Sequence, residues 1–231
     1  MQKYIVIADD LTGSNATCSL LKKIGLRAAS ILKLQNGMKY DADVISYSTG
    51  SRGLDKEEAY KRVSEAIKIL KDKNVLVYNK RIDSTLRGNI GAEINAMLDN
   101  LENDRIAVVV PAYPDSKRIV VNKTMLVNGV LLENSDAGKD PKTPIKTSCV
   151  ETLIKKDCKY SSTYFDLADI EQPIEKLIKK IQKSTEKSRV LIFDAVNNED
   201  IIKISRAIIQ SNINMDLLLY ISVRNYKRRN I

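Results

Sequence analysis

The sequence predicts an α/β fold, a mostly parallel sheet with helices on both faces and an inserted β-hairpin around residues 111–147. Three observations carry that expectation. Apolar, β-branched runs of strand length recur along the chain, as in "YIVIA", "IAVVV" and "VLIF". Longer stretches with helical periodicity separate them, and such alternation builds parallel strands joined by covering helices. Between 111 and 147 the alternation stops, and four of the five prolines fall there.

The elements follow in order. A first strand is expected at 4–8 and a helix at 14–24, with Ser14 or Asn15 able to cap its start. Gly25 stands just past that helix, where a left-handed terminating residue is wanted. Strands at 27–32 and 43–47 come next, then a helix at 55–72, a strand at 75–79 and a helix at 88–102. A strand at 105–110 leads into the insertion. There "VNGV", flanked by alternating apolar residues, signals a tight hairpin turn. A helix at 148–156, a strand at 163–166, a helix at 173–185, a strand at 189–194, a helix at 198–211 and a strand at 217–222 complete the pattern. The last eight residues, "RNYKRRNI", carry four basic side chains and no acid.

Composition narrows the function classes. The chain has 231 residues and 43% hydrophobic content, enough for one large α/β domain or two small ones. No apolar run approaches the roughly 20 residues a membrane span needs, so no membrane partner is expected. The N-terminus enters a strand at once without a signal-type leader, which points to the cytoplasm. Cys18, Cys149 and Cys158 lack metal-type spacing and read as free thiols. Histidine is absent, so acid–base chemistry falls to carboxylates or lysines, and no metal site is expected. The net charge of +9 raises nucleic acid as a partner, but two Phe and no Trp offer no stacking platform. Much of the excess is lysine on helix faces, as in "EKLIKKIQKSTEK", so no nucleic-acid partner is expected.

In open parallel sheets ligands bind beyond the carboxyl ends of the strands, where loops converge and helix N-termini point inward. Polar clusters at strand ends therefore count most. "ADDLTGSN" follows the first strand, "STGSRG" the third, "NKRIDSTLRGN" the fourth and "PAYPDSKR" the fifth. Asp9 and Asp10 repel each other unless a cation or a hydrogen-bonding ligand is nearby, and such a pair suits holding sugar hydroxyls, assisting a metal–phosphate or accepting a proton. The plain structural role for one of them is a helix cap. Lys80, Arg81 and Arg87 supply positive charge, and arginine can grip a carboxylate or phosphate through two parallel hydrogen bonds. Ser84 and Thr85 add hydroxyls, and a helix starting near Gly88 and Asn89 adds backbone N–H groups. Asp83 among these cations should stay ionised and accept from a ligand hydroxyl. The alternative is a salt-bridged corner with no ligand. No P-loop, dinucleotide fingerprint or hydrolase elbow is present. Residue patterns alone thus reach an α/β domain for a small hydroxylated anion.

These blocks resemble one known family. "IADDLTGSNATCSLLKKIGL", "STGSR", "NKRIDSTLRGNIGAE", the 111–147 insertion and "VLIFDAVNNEDI" are similar to the N-terminal sugar-binding domain of the four-carbon acid sugar kinases, in order, from residue 3 to about 220. The resemblance implies ATP- and Mg²⁺-dependent phosphorylation of the terminal hydroxyl of a threonate-, erythronate- or 3-oxo-tetronate-type acid. Asp9, Asp10, Ser51, Arg52, Lys80, Asp83, Ser84, Thr85, Arg87 and Arg118 match the family's polar motif positions. It further implies carboxylate recognition by Arg52, Arg81 and Arg87 and hydroxyl binding by Asp83. Asp10, or else Asp9, is implied to orient or deprotonate the attacking hydroxyl. Residues 1–220 form the expected sugar-binding domain and 221–231 a basic tail that departs from the family. The family continues into a nucleotide-binding domain, which holds most of the ATP and Mg²⁺ contacts. A separate polypeptide carrying that domain is therefore an expected partner, and a stand-alone binding or regulatory module is the alternative.

Overall fold

A computed structural model describes residues 4–37, 40–213 and 215–219. The basic tail expected at 221–231, and the end of the strand expected at 217–222, lie outside the described residues. The chain begins with β1 (Tyr4–Ala8), α1 (Leu11–Lys23), β2 (Ala28–Ile31), β3 (Val44–Ser48), α2 (Lys56–Leu70), β4 (Val77–Arg81), α3 (Ile90–Asn100) and β5 (Ile106–Val110). The insertion follows as β6 (Arg118–Val121), β7 (Thr124–Val127) and β8 (Val130–Leu131). Then come α4 (Val150–Lys155), β9 (Ser162–Phe165), α5 (Leu167–Glu171), α6 (Ile174–Thr185), β10 (Val190–Phe193), α7 (Asn198–Gln210) and β11 (Met215–Leu219).

Eight strands form one parallel sheet in the order β2-β3-β1-β4-β11-β5-β10-β9. Strand β1 pairs with β3 on one side, Ala8 opposite Ser48, and with β4 on the other, Ala8 opposite Arg81. The alternating side chains of β1 bury both faces. Ile5 and Ile7 pack with Val63 and Ile67 of α2 and Met97 of α3, whereas Val6 packs with Cys18 and Leu21 of α1. A larger core joins Val108–Val110 and Leu191–Phe193 to Ile94, Ile154, Ile181 and Ile204. Phe165 and Phe193 stack there with ring centroids 4.4 Å apart. Each such Ile or Phe, fully buried, contributes about 1.5–3 kcal/mol of transfer free energy.

The insertion is a three-stranded antiparallel meander rather than a single hairpin. Asn128 and Gly129 of "VNGV" both have positive φ, +52° and +80°, as a two-residue turn matched to strand twist requires. Asn122 and Lys123 turn the preceding pair in the same way. Backbone hydrogen bonds between Val120 and Ala195 tie the meander to the end of β10.

Three expectations need correction. Helix α1 starts at Leu11, three residues early, because the Asp10 carboxylate accepts from the Gly13 N–H at 2.6 Å and caps it. Ser14 is instead buried inside the helix, bonding Ser46 at 2.7 Å and Ser30 at 3.0 Å. Strand β4 runs to Arg81, two residues further than expected, since pairing with β1 continues through Lys80, whose partner Glu93 lies inside the fold, to Arg81. Helix α5, a five-residue turn closed by a capping box of Asp166 and Asp169, is too short for periodicity to reveal. Among the described residues no helix is long and apolar enough to cross a membrane.

Candidate functional site

Strands β3, β1 and β4 are neighbours and run the same way, so the loops leaving them must emerge side by side. Strand β1 delivers Asp9 and Asp10, β3 delivers Ser51 and Arg52, and β4 delivers Asp83 to Arg87. The backbone ties the loops together: Asp9 N–H donates to the Arg81 carbonyl and Arg52 N–H to the Asp9 carbonyl, both at 3.3 Å.

Arg52 stands at the centre. Its Nε and Nη2 grip Asp9 at 2.8 and 3.1 Å, and its Nη1 meets Asp10 at 2.7 Å. Nη2 also lies 3.6 Å from Asp83. One guanidinium thus joins carboxylates from two further loops. Burial works against its charge, yet the hydrogen bond and charge of Asp9, with Asp83 and Asp10, hold its proton more tightly than usual. Of the two adjacent aspartates, Asp9 is buried with its side chain 4% exposed, while Asp10 is 28% exposed.

The β4 loop builds the opposite wall. Asp83 accepts from Arg87 Nε at 2.8 Å and Nη2 at 3.0 Å, and from the Thr85 hydroxyl. Burial alone would raise its pKa, but hydrogen bonds from Arg87 and Thr85 and the charges of Arg52 and Arg87 hold it well below the carboxylate range. The turn carries a left-handed Leu86, φ +56°, whose side chain is buried in the core, and Gly88 at φ +97°. A Cβ on Gly88 would meet Arg52 at ordinary contact distance, 3.4 Å, so this loop packs against the Arg52 loop, and it is the positive φ that calls for glycine here.

Beneath lies a buried polar floor. Lys80 Nζ pairs with Glu93 of α3 at 2.8 Å and donates to the Arg81 carbonyl at 3.2 Å. Ser51 donates to the same Glu93 and bonds the Thr49 hydroxyl, which reaches the Ala8 carbonyl at 3.0 Å. Lys80 and Ser51 are both 0% exposed. They brace β1, β3, β4 and α3 against one another. Asn89 adds a further tie, its amide donating to the Ser51 and Leu54 carbonyls rather than capping α3.

The structure therefore brings together Asp9, Asp10, Ser51, Arg52, Lys80, Asp83, Thr85 and Arg87. Arg81 packs over Gly13, where a Cβ would stand 3.2 Å from its Cγ and 2.9 Å from the Asp10 carboxylate. Ser84 sits half-buried in the same turn. Arg118 is placed differently, on β6, where its Nη1 donates to the Ser116 carbonyl at 3.0 Å. Sequence reasoning missed Glu93 and Asp140. Glu93 lies within the quoted "NIGAE" block, but its pairing with Lys80 depends on how α3 lies on the sheet. Asp140, from the insertion, meets Arg87 Nη1 at 2.8 Å across 53 residues.

Among the described residues no group of three or more acidic, Cys or His side chains is placed to hold a metal. The carboxylates nearest to such a role are engaged by Arg52 and Arg87, so these residues do not fit a Mg²⁺ ion and no step is derived through one. The site can instead offer fixed acceptors for hydroxyls beside N–H donors for an acid group.

Residues 4–223 match the family described as a sugar-binding N-terminal domain. The chain is 41% identical over 208 residues to a D-erythronate kinase of Heliobacterium modesticaldum, covering 87% of this chain and 47% of that protein. It is 34% identical over 208 residues to a D-threonate kinase of Salmonella typhimurium, covering 89% and 48%. A Bordetella bronchiseptica domain of unknown function, crystallised with bound citrate as a domain-swapped dimer, superposes with a TM-score of 0.80 at 26% identity, covering 93% of this chain and 52% of that one. The chain spans about half the length of the curated relatives it matches. With a doubly covered parallel sheet, three converging polar loops and a match from the first strand past the last, the chain belongs to the sugar-binding N-terminal domain family.

Proposed function

We propose that the chain is the acid-sugar-binding half of an ATP-dependent kinase that phosphorylates the terminal hydroxyl of a four-carbon acid sugar of the erythronate, threonate or 3-oxo-tetronate type. The observation that supports this reading best is Arg52, reaching Asp9, Asp10 and Asp83 from one loop. A tetronate carries one carboxylate and several hydroxyls in a span of four carbons. Acceptors and donors alternating within one small cluster suit that ligand better than a patch of one sign. The curated relatives act on such acids by name, and citrate, another hydroxy acid, is bound in the Bordetella structure.

In this reading Arg52 and Arg87 present their remaining N–H groups to the carboxylate, with Arg81 beside them, and Ser84 and Thr85 add hydroxyls. Asp83 accepts from a ligand hydroxyl. Asp10 is the better placed of the two aspartates to orient or deprotonate the attacking hydroxyl, because it is the more exposed. Lys80 and Ser51 serve from beneath, as bracing. Arg118 would approach only with the insertion.

Phosphoryl transfer also requires the γ-phosphate held in line and its charge neutralised, which ATP and Mg²⁺ bound by a nucleotide domain supply. In that scheme the chain works in the cytoplasm, where ATP is available, together with a polypeptide segment carrying that domain. Titration calorimetry with D-erythronate, D-threonate and a 3-oxo-tetronate tests the binding half: saturable heat from at least one is expected, and none at millimolar ligand overturns the reading. A coupled ATPase assay is expected to show negligible turnover by the chain alone.

A further inference from the structure

Both arginines of the cluster are held in the same way. Each places Nε and Nη2 on one aspartate and Nη1 on another: Asp9 and Asp10 for Arg52, Asp83 and Asp140 for Arg87. Three of these carboxylates sit directly after β1 or β4. Asp140 comes from the insertion, in the loop beyond the helical turn Asp136–Lys139.

Asp140 is itself fixed. Its Oδ1 accepts from the Lys142 N–H at 3.0 Å, the Thr143 N–H at 2.8 Å and the Thr143 hydroxyl at 3.4 Å. Its Oδ2 is left for Arg87. The loop is stitched by Ile145 N–H to the Ala137 carbonyl at 3.1 Å, with both side chains buried. Lys142 lies over the Arg52 loop, its Cδ 3.6 Å from where a Cβ on Gly53 would stand.

We infer that Asp140 is a positioning residue of the sugar site: by holding Arg87 Nη1 it aims the guanidinium at the ligand's carboxylate and makes the insertion a wall of the pocket. The inference rests on the acid-sugar reading above. A guanidinium has five N–H donors, and Asp83 and Asp140 take three from Arg87, so two remain for a ligand. Without Asp140 the guanidinium can pivot about its Asp83 contact, and those two lose their direction. The other role open to Asp140, an internal stand-in that the ligand displaces, is disfavoured by counting. Displacement breaks the Arg87 bond and either the three bonds of the Asp140 turn or the seating of the whole loop, whereas one ligand carboxylate replaces only the first.

The test is calorimetry of the unmodified chain and Asp140→Asn with D-erythronate and its neutral amide, beside thermal melts of both proteins. Positioning predicts that Asp140→Asn weakens the acid about tenfold and changes the amide less than about twofold, with a melting temperature modestly below that of the parent because the Arg87 ion pair is lost. Unchanged binding of the acid, tighter binding of it, or equal losses for acid and amide each overturn the inference while leaving the acid-sugar reading intact. No binding of any tetronate by the unmodified chain overturns that reading and the inference with it. If Asp140→Asn does not fold, hydrogen exchange over residues 137–145 of the unmodified chain decides: slower exchange with D-erythronate supports the inference, and unchanged exchange overturns it.

Discussion

The Lys80 ammonium lies 2.8 Å from the Glu93 carboxylate, and both side chains are buried between the central strand β4 and helix α3. A buried pair adds little relative to a well-packed apolar substitute, because desolvation offsets the attraction, but removing one partner strands the other charge. Glu93→Ala should therefore cost about 3–5 kcal/mol of folding stability. Urea unfolding at neutral pH measures it, and a loss below about 1 kcal/mol would show that the ammonium finds another partner or water.

Arg87 is predicted to carry much of the ligand's charge recognition. A hydrogen bond to a charged group contributes about 1.5–3 kcal/mol, so Arg87→Ala should weaken tetronate binding about ten- to a hundredfold. Calorimetry with D-erythronate or D-threonate reads this directly. Equal affinity in the variant would remove Arg87 from the site.

Asp10 caps α1 and pairs with Arg52 Nη1, and the role proposed for it in phosphoryl transfer can be separated from these by substitution. As the cap of α1 it accepts from Gly13, and losing such a cap costs about 0.5–2 kcal/mol. Asp10→Ala should lower stability by that amount, while Asp10→Asn, which keeps the acceptor oxygen, should restore most of it. If Asp10 also meets the attacking hydroxyl, both variants lose phosphoryl transfer when paired with a nucleotide domain. Full transfer by Asp10→Asn would leave the residue as helix cap and Arg52 partner alone.

Stability should fall in acid for a stated reason. The pKa of Asp83 is held well below the usual carboxylate value, and that of Asp140 is held down at about 2 by the Thr143 N–H, Arg87 and the Lys142 N–H. A group whose folded pKa is depressed stabilises the fold above its unfolded value, near pH 4, and that contribution is lost as pH falls toward the folded value. The melting temperature should thus decline from about pH 4 downward through pH 2. An Asp83→Asn variant is expected to be less stable at pH 7 and to show a shallower decline; an identical slope would assign the acid sensitivity elsewhere.

Gly13 is predicted to resist even alanine. A Cβ there would stand 2.9 Å from the Asp10 carboxylate and 3.2 Å from Arg81 Cγ, so Gly13→Ala should disturb both residues. The expected outcome is a several-fold loss of tetronate affinity, larger than any change in melting temperature of more than a few degrees would explain. Parent-like binding would mean that Arg81 moves aside without consequence.

Much was legible in the chain itself. Short runs rich in apolar and β-branched residues located the strands of the parallel sheet, most plainly β1, β5 and β10, which are buried along nearly their whole length and so have to be apolar. Where periodicity failed, polar residues were held by partners distant in sequence or by the helix backbone: Lys80 pairs with Glu93 as β4 runs on to Arg81, Ser14 bonds Ser46, and Asp10 caps α1. The clusters at the ends of the first, third and fourth strands were visible as motifs because their polar residues stand close together in sequence. Asp140 carried no such signal, standing 53 positions from Arg87 in a loop whose local pattern reads only as turn.

By itself, then, the sequence determined the alternation of strand and helix, the type of the insertion's "VNGV" turn and which strand ends bear charge, since each depends on neighbours a few residues apart. Only the tertiary structure decided that both arginines are held by the protein's own carboxylates, that Lys80 and Ser51 are fully buried beneath the cluster, and that the insertion reaches Arg87. Those contacts join residues brought together by strand order, and distance along a chain does not record distance across a sheet.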